Sequence, residues 1–122
     1  MKRWFTYSMV LLFGVLVISG CRKERFPVYI DEGYWLTQER GVVVYSDVRC
    51  DYFIVETFNG YSVLRSWDGY IPYQGDVLYG DFSHWGVRDF YNRSAGSLTR
   101  SDVKDYWLSY FQAQDQIDYY CY

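Results

Sequence analysis

The pattern of apolar and polar residues changes twice along the chain. Residues 9–18 form an almost unbroken apolar run. Short runs rich in β-branched and aromatic residues then alternate with turn residues, at a spacing typical of a small antiparallel sheet. After a loop at residues 93–96, apolar residues recur every three or four positions, which is the period of an amphipathic helix. The predicted strands cover residues 34–37, 41–45, 52–58, 61–67, 76–82 and 85–92.

The clearest turn signal is the Asn-Gly pair at residues 59–60, which lies between two of the predicted strands. Both residues accept the positive φ of a type I′ turn, so a two-residue hairpin loop is expected there. This loop would place Phe58 opposite Tyr61 and Val55 opposite Leu64. The face that carries Val55 and Leu64 is predicted to be core, and the more aromatic face is predicted to be partly covered.

The C-terminal part of the chain predicts a helix at about residues 99–117. Thr99 and Asp102 at its start resemble a capping box, with aspartate in place of the usual glutamate. Its apolar stripe consists of Val103, Tyr106, Trp107, Tyr110, Ala113 and Ile117. The predicted fold is therefore α+β, a small antiparallel β meander or partly closed barrel with one C-terminal amphipathic helix packed on it.

The N-terminal apolar run begins after Lys2 and Arg3 and ends at a pair of small residues followed by Cys21. A membrane-spanning helix needs about 20 apolar residues, so this run is too short to be an uncleaved span. A positive start, an apolar run and small residues are typical of a cleaved signal peptide. The order Ile18-Ser19-Gly20-Cys21 resembles the lipobox of bacterial lipoprotein signal peptides, and the resemblance covers residues 1–21. The alternative is a secretory signal with a cysteine there by chance.

The resemblance implies that residues 1–20 are a signal peptide and that membrane lipid becomes attached to Cys21. Residues 21–33 would then be a flexible tether, and residues 34–122 a single small β-rich domain. In such lipoproteins an aspartate after the cysteine often marks inner-membrane retention. Because Arg22 stands there, the resemblance implies a lipid-anchored protein of the bacterial cell envelope, at the outer membrane.

The charge of the chain argues against nucleic acid as a partner. Without Lys2 and Arg3, ten basic residues face fifteen acidic ones. Phosphate binding needs clustered Lys and Arg, and beyond residues 22–25 the basic residues are scattered. The basic segment at residues 22–25 either contacts anionic lipid headgroups beside the acylated cysteine or is a solvated spacer.

The cysteine count predicts one disulfide. With Cys21 assigned to lipid, Cys50 and Cys121 remain, and an even number in an oxidising compartment favours their pairing. The bond would close a loop of roughly 70 residues and contribute on the order of 4 kcal/mol to stability. The chain has a single histidine and no Cys-x-x-Cys pair, so neither a metal nor a cofactor is expected.

His84 is the only histidine, so any chemistry that uses imidazole depends on it. Ser83 and Ser94 are close in sequence, but neither lies in a recognisable nucleophile motif. We expect a turn histidine that is hydrogen-bonded to a neighbouring carboxylate. The alternative is a small hydrolase acting on cell-wall material, with His84 assisted by nearby aspartates. These aspartates are Asp76, Asp81 and Asp89.

The aromatic content is the most unusual feature of the composition. Residues 21–122 include 24 aromatic residues, more than a core of this size can hold, so several must be exposed. They could cover a twisted sheet and stabilise it through cross-strand pairs. They could also form a platform for a glycan, a peptide or an envelope protein, and the candidates are Trp67, Tyr70, Tyr73 and Trp85. The expected function is a non-enzymatic binding or accessory module with no catalytic residue assigned.

Overall fold

The computed structural model describes residues 29–122, which form six β-strands and two α-helices. The strands are β1 (Glu39–Ser46), β2 (Tyr52–Thr57), β3 (Gly60–Ser66), β4 (Val77–Gly80), β5 (Gly86–Asn92) and β6 (Ser97–Leu108). The helices are α1 (Glu32–Trp35) and α2 (Tyr110–Cys121). The predicted signal peptide, Cys21 and the tether as far as residue 28 lie outside the described residues.

The six strands form one closed antiparallel barrel in the order β1-β2-β3-β6-β5-β4. Pairing between β1 and β4, from Glu39 opposite Gly80 to Val42 opposite Val77, closes the barrel. The predicted α+β class with a C-terminal helix is thereby confirmed. The expectation of a partly closed barrel is wrong, because β4 hydrogen-bonds to β1 as well as to β5.

The barrel interior is built around two aromatic rings. Phe82 and Phe90 are fully buried and stack with their ring centroids 4.7 Å apart. Glycines on the two closing strands make room for them. A Cβ atom on Gly41 would collide with Val55 and lie 3.1 Å from the Phe82 ring, and one on Gly80 would collide with the Phe90 ring. The absence of side chains at these two positions therefore lets the interior hold both rings.

Helix α2 covers part of the outside of the barrel. Its buried residues Ala113 and Ile117 pack on Ile54 of β2 and Val63 of β3. The opposite face of this hairpin, which includes Val55 and Leu64, lies in the barrel core. The predicted division of the hairpin into a core face and a partly covered face is confirmed.

The predicted helix at residues 99–117 is wrong over its first half. Those residues belong to β6, whose inward side chains Thr99, Ser101 and Val103 are all buried. Two of these three inward residues are polar, so the alternation of apolar and polar residues that marks a strand is absent from this part of the sequence. The helix begins after Ser109, whose side chain forms a capping box with Gln112, and the predicted box at residue 99 does not form.

The predicted register of the β2–β3 hairpin is also wrong, by two residues. Thr57 with Gly60, and not Phe58 with Tyr61, forms the pair that closes the hairpin, and Tyr61 lies opposite Glu56. Positive φ occurs only at Gly60 in this turn, where φ is 124°, so Phe58 and Asn59 form the loop. The Thr57 hydroxyl donates to the Gly60 carbonyl at 2.9 Å and fixes this geometry. A shift of two residues keeps every side chain on its face, which is why the core face was still correct.

The start of the domain also differs from the expectation. Residues 34–37 were predicted as a strand, but Asp31 accepts a hydrogen bond from the Tyr34 N–H at 3.2 Å and caps the short helix α1. Glu32 accepts a hydrogen bond from the Tyr91 hydroxyl at 2.9 Å and lies 3.6 Å from Arg93. The chain is therefore attached to the barrel before residue 34.

Cys50 and Cys121 form the predicted disulfide, with their Cα atoms 5.7 Å apart. The bond joins the β1–β2 loop to the last residue of α2. It encloses β2 to β6 in one covalent loop, because the two cysteines are 71 residues apart in sequence. The end of α2 is thus fixed to the barrel covalently as well as by packing.

Replacing both residues, Cys50→Ser with Cys121→Ser, should lower the free energy of unfolding by about 4 kcal/mol, because the unfolded chain loses its cross-link. Urea unfolding of the full chain measures this change. Cys21→Ser is the matched control and should stay within about 0.5 kcal/mol of the native chain. Equal stability of the double variant and the native chain would contradict the prediction.

Candidate functional site: an aromatic rim at one end of the barrel

The loops of the barrel fall at two ends, because neighbouring strands run in opposite directions. The β2–β3 turn, the β4–β5 loop and the junction of β6 with α2 share one end, which we call the rim end. The other three loops share the opposite end. We call it the disulfide end, since it contains Cys50.

The structure divides the predicted aromatic platform between these two ends. Trp67, Tyr70 and Tyr73 belong to the β3–β4 loop at the disulfide end, whereas Trp85 belongs to the β4–β5 loop at the rim end. Among the aromatic contacts of residues 29–122, none joins two members of this set. The four residues therefore do not form one surface.

Trp85 instead has different aromatic neighbours. Its ring lies 5.3 Å from that of Tyr106, which lies 5.6 Å from that of Trp107. Tyr106 is partly buried and packs against the barrel core. Trp85 and Trp107 are 65% and 61% exposed. We call these three residues the aromatic rim: two exposed indoles flank one anchored phenol.

Trp107 has an unusual backbone conformation. With φ of 57°, it is the one non-glycine residue in the described part of the chain with positive φ. A bulge in β6 causes this, because Tyr106 and Trp107 lie opposite the single residue Ser62, between the pairs Asp105–Val63 and Leu108–Tyr61. Tyr106 can then point inward while Leu108 packs outside under α2. The left-handed conformation costs about 1–2 kcal/mol, and such strain is concentrated at functional sites.

A chain of hydrogen bonds holds the Trp107 side chain in place. Its indole Nε1 donates to Ser83 Oγ at 2.9 Å. The Ser83 hydroxyl in turn donates to the Glu39 carboxylate, 2.8 Å from Oε2, and Asn59 Nδ2 donates to the same oxygen at 3.2 Å. Because the only polar atom of the indole is already bonded within the protein, Trp107 presents solvent with an apolar ring.

Three charged or polar side chains, which we call the polar arm, lie beside the rim. His84 Nδ1 is 2.9 Å from both carboxylate oxygens of Asp81, and Arg88 Nη1 is 3.4 Å from Asp81 Oδ2. Partial burial raises the pKa of the Asp81 carboxyl group. Hydrogen bonds from His84 and the Ser83 N–H, together with the positive charge of Arg88, lower it by more, so the pKa of Asp81 lies below its usual value. The prediction that His84 is a turn histidine bonded to a carboxylate is confirmed.

The other residues considered for catalysis do not join His84. Asp76 lies in the β3–β4 loop and Ser94 in the β5–β6 loop, both at the disulfide end. Asp89 forms an ion pair with Arg100 at 2.9 Å. The Ser83 hydroxyl proton is directed at Glu39. Within residues 29–122, no three His, Cys, Asp or Glu side chains cluster closely enough to hold a metal ion.

The barrel interior next to the rim is filled. Phe82, which is fully buried, fills the barrel interior next to the β4–β5 loop. Two open cavities lie elsewhere, one of about 210 Å³ beside the disulfide and one of about 520 Å³ on the outside of β1 and β2 next to Phe58. A ligand at the rim would therefore lie across the rings and would not enter the barrel.

Sequence reasoning identified Trp85 and His84 but missed the role of Tyr106 and Trp107. Both were assigned to the buried stripe of a helix. The Ser109-x-x-Gln112 capping signature could have corrected this, because it starts the helix after both residues. The bulge that exposes Trp107 has no signature of its own in the sequence.

Ser83→Ala should release the Trp107 ring, because the indole N–H loses its acceptor. In a nitrogen-15 NMR spectrum, the Trp107 indole proton should exchange faster with water, while stability falls by about 1 kcal/mol. The Trp67 indole at the other end is the internal control, and Trp107→Phe assigns the signal. Unchanged exchange at Trp107 would show that Ser83 does not hold the ring.

Comparison with known proteins adds no relative. No protein-family model matches the chain, and no curated protein or solved structure is significantly similar to it. No helix within residues 29–122 has both the length and the apolar character needed to cross a membrane. Any function has therefore to be inferred from the residues of the chain itself.

Proposed function

We propose that the protein is a lipid-anchored component of the bacterial cell envelope, at the outer membrane, and that its barrel is a non-enzymatic binding module. The aromatic rim is the proposed ligand site. The observation that carries the proposal is Trp107, which is exposed, held by hydrogen bonds and kept in a strained backbone conformation. A ring fixed in this way binds with little loss of conformational entropy.

The surroundings of the rim support binding. Two large exposed rings next to charged groups are typical of interaction surfaces, whereas isolated exposed apolar residues need no explanation. Asp81 and Arg88 lie beside the rings and can bind polar groups of a ligand. The rim therefore combines apolar area with hydrogen-bonding groups, as ligand sites do.

The order Ile18-Ser19-Gly20-Cys21 supports lipid anchoring. A lipoprotein cysteine carries more than one acyl chain, and two or more chains are needed for stable attachment to a bilayer. The described chain starts at Tyr29, and Glu32 is bound to Arg93 beside the disulfide end. Eight residues from Cys21 to Tyr29 span at most about 28 Å, so this attachment favours a rim that faces away from the membrane.

Metabolic labelling with radioactive palmitate tests the anchor. The native chain should take up label and fractionate with the outer membrane, and Cys21→Ser should take up none, because it lacks the acceptor sulfur. Cys50→Ser is the matched control and should remain labelled. The proposed anchor is wrong if the native chain is unlabelled, or if Cys21→Ser is labelled equally.

A small hydrolase acting on cell-wall material is the second candidate, and the close contact of His84 with Asp81 favours it. A histidine oriented by a carboxylate is the usual arrangement of a general base. This candidate requires His84, since no other imidazole exists. If purified protein releases soluble fragments from cell walls and His84→Ala does not, the hydrolase replaces the binding module. We expect no release by either protein.

A further inference from the structure

We infer that the aromatic rim binds an uncharged pyranose saccharide, whose sugar rings lie across Trp85 and Trp107. The inference rests on the binding function proposed above and names the class of ligand. It follows from three properties of the rim: the apolar faces of its indoles, the mixed charge of the polar arm, and the exposure of both indoles next to a filled barrel interior.

The exposed indoles fit the apolar face of a sugar. An aromatic ring is electron-rich on its face, and the C–H bonds on one side of a pyranose present weakly positive hydrogens to it. The Trp107 N–H already donates to Ser83, so stacking on this ring leaves no donor without a partner. Tyr106 contacts Trp85 as well as Trp107, and the Trp85 ring provides a second stacking position.

The polar arm fits hydroxyl groups. Each sugar hydroxyl both donates and accepts hydrogen bonds, so it is best matched by an acceptor and a donor side by side. Asp81 supplies the acceptor and Arg88 the donor, and their side chains are 37% and 38% exposed. The charge of Arg88 is balanced by Asp81, and the Glu39 carboxylate lies on the other side of Ser83, so the rim has no excess of positive charge to attract an anionic ligand. A neutral ligand is favoured.

The rim is open and its two indoles are separate. Trp85 and Trp107 are both more than half exposed, and Phe82 fills the barrel interior next to the β4–β5 loop. The two indole planes are inclined to each other, since they make angles of 55° and 87° with the Tyr106 ring. Each indole therefore offers its own stacking position, which suits successive sugars of a saccharide chain.

The test is titration of the full chain, in detergent micelles, with three tetrasaccharides followed by NMR of the indole N–H groups. The probes are a β-linked glucose tetramer, an N-acetylglucosamine tetramer and the same amino sugar made anionic by lactyl groups on alternate rings. At least one neutral probe should shift the Trp85 and Trp107 signals and bind more tightly than the anionic one. Trp107→Ala and Trp85→Ala should each weaken that binding about tenfold or more.

Trp67→Ala is the matched control, because Trp67 is 58% exposed but lies at the disulfide end. Binding to this variant should stay within twofold of the native chain, and circular dichroism should show that all three variants fold. The inference is overturned if no neutral probe binds at about 10 mM, or if Trp67→Ala weakens binding as much as Trp107→Ala.

A second experiment distinguishes a saccharide ligand from a protein ligand. A photo-crosslinking amino acid in place of Val87, which is 43% exposed and lies two residues from Trp85, leaves both indoles intact. In living cells it should attach the chain to polysaccharide, and attachment to a protein instead would overturn the inference. Palmitate labelling does not depend on the ligand. Loss of saccharide binding by a labelled native protein would therefore reject the saccharide alone and leave the lipid anchor standing.

Discussion

Closure of the barrel between β1 and β4 is the constraint on which the rest of the structure depends. It needs an interior wide enough for the Phe82 and Phe90 rings, and Gly41 and Gly80 provide that width on the two closing strands. Pairing of β5 with β6 brings the β4–β5 loop beside the end of β6. Closure adds Glu39 of β1, which lies opposite Gly80 and binds the Ser83 hydroxyl that holds Trp107.

The rim also depends on the way in which β6 passes from the barrel to α2. One strand must supply Tyr106 to the interior and Leu108 to the helix-covered outside, and a regular strand cannot do both with residues two apart. The bulge solves this conflict and leaves Trp107 between the two layers. The packing of Tyr106 in the core and of Leu108 under the helix therefore positions the exposed Trp107 ring, and Ser83 fixes its orientation.

The sequence predicted well those elements whose inward residues are apolar. Strands β1 to β5 and the core face of the hairpin followed from hydrophobic alternation, and the disulfide followed from the number of cysteines. Strand β6 was missed because Thr99 and Ser101 occupy interior positions. The site was only half predicted, since no local pattern tells which loops share an end of a barrel. The resemblance at residues 18–21 is a separate prediction and lies outside the described residues.

The link between Cys50 and α2 has a consequence for the order in which the molecule matures. A helix of 12 residues is marginal by itself, and Ala113 and Ile117 are its buried contacts. Disulfide formation requires an oxidising environment, which the cytoplasm does not provide. A chain that is still reduced thus keeps a loosely docked C terminus. Formation of the Cys50–Cys121 bond is then the step that fixes α2 permanently to the barrel.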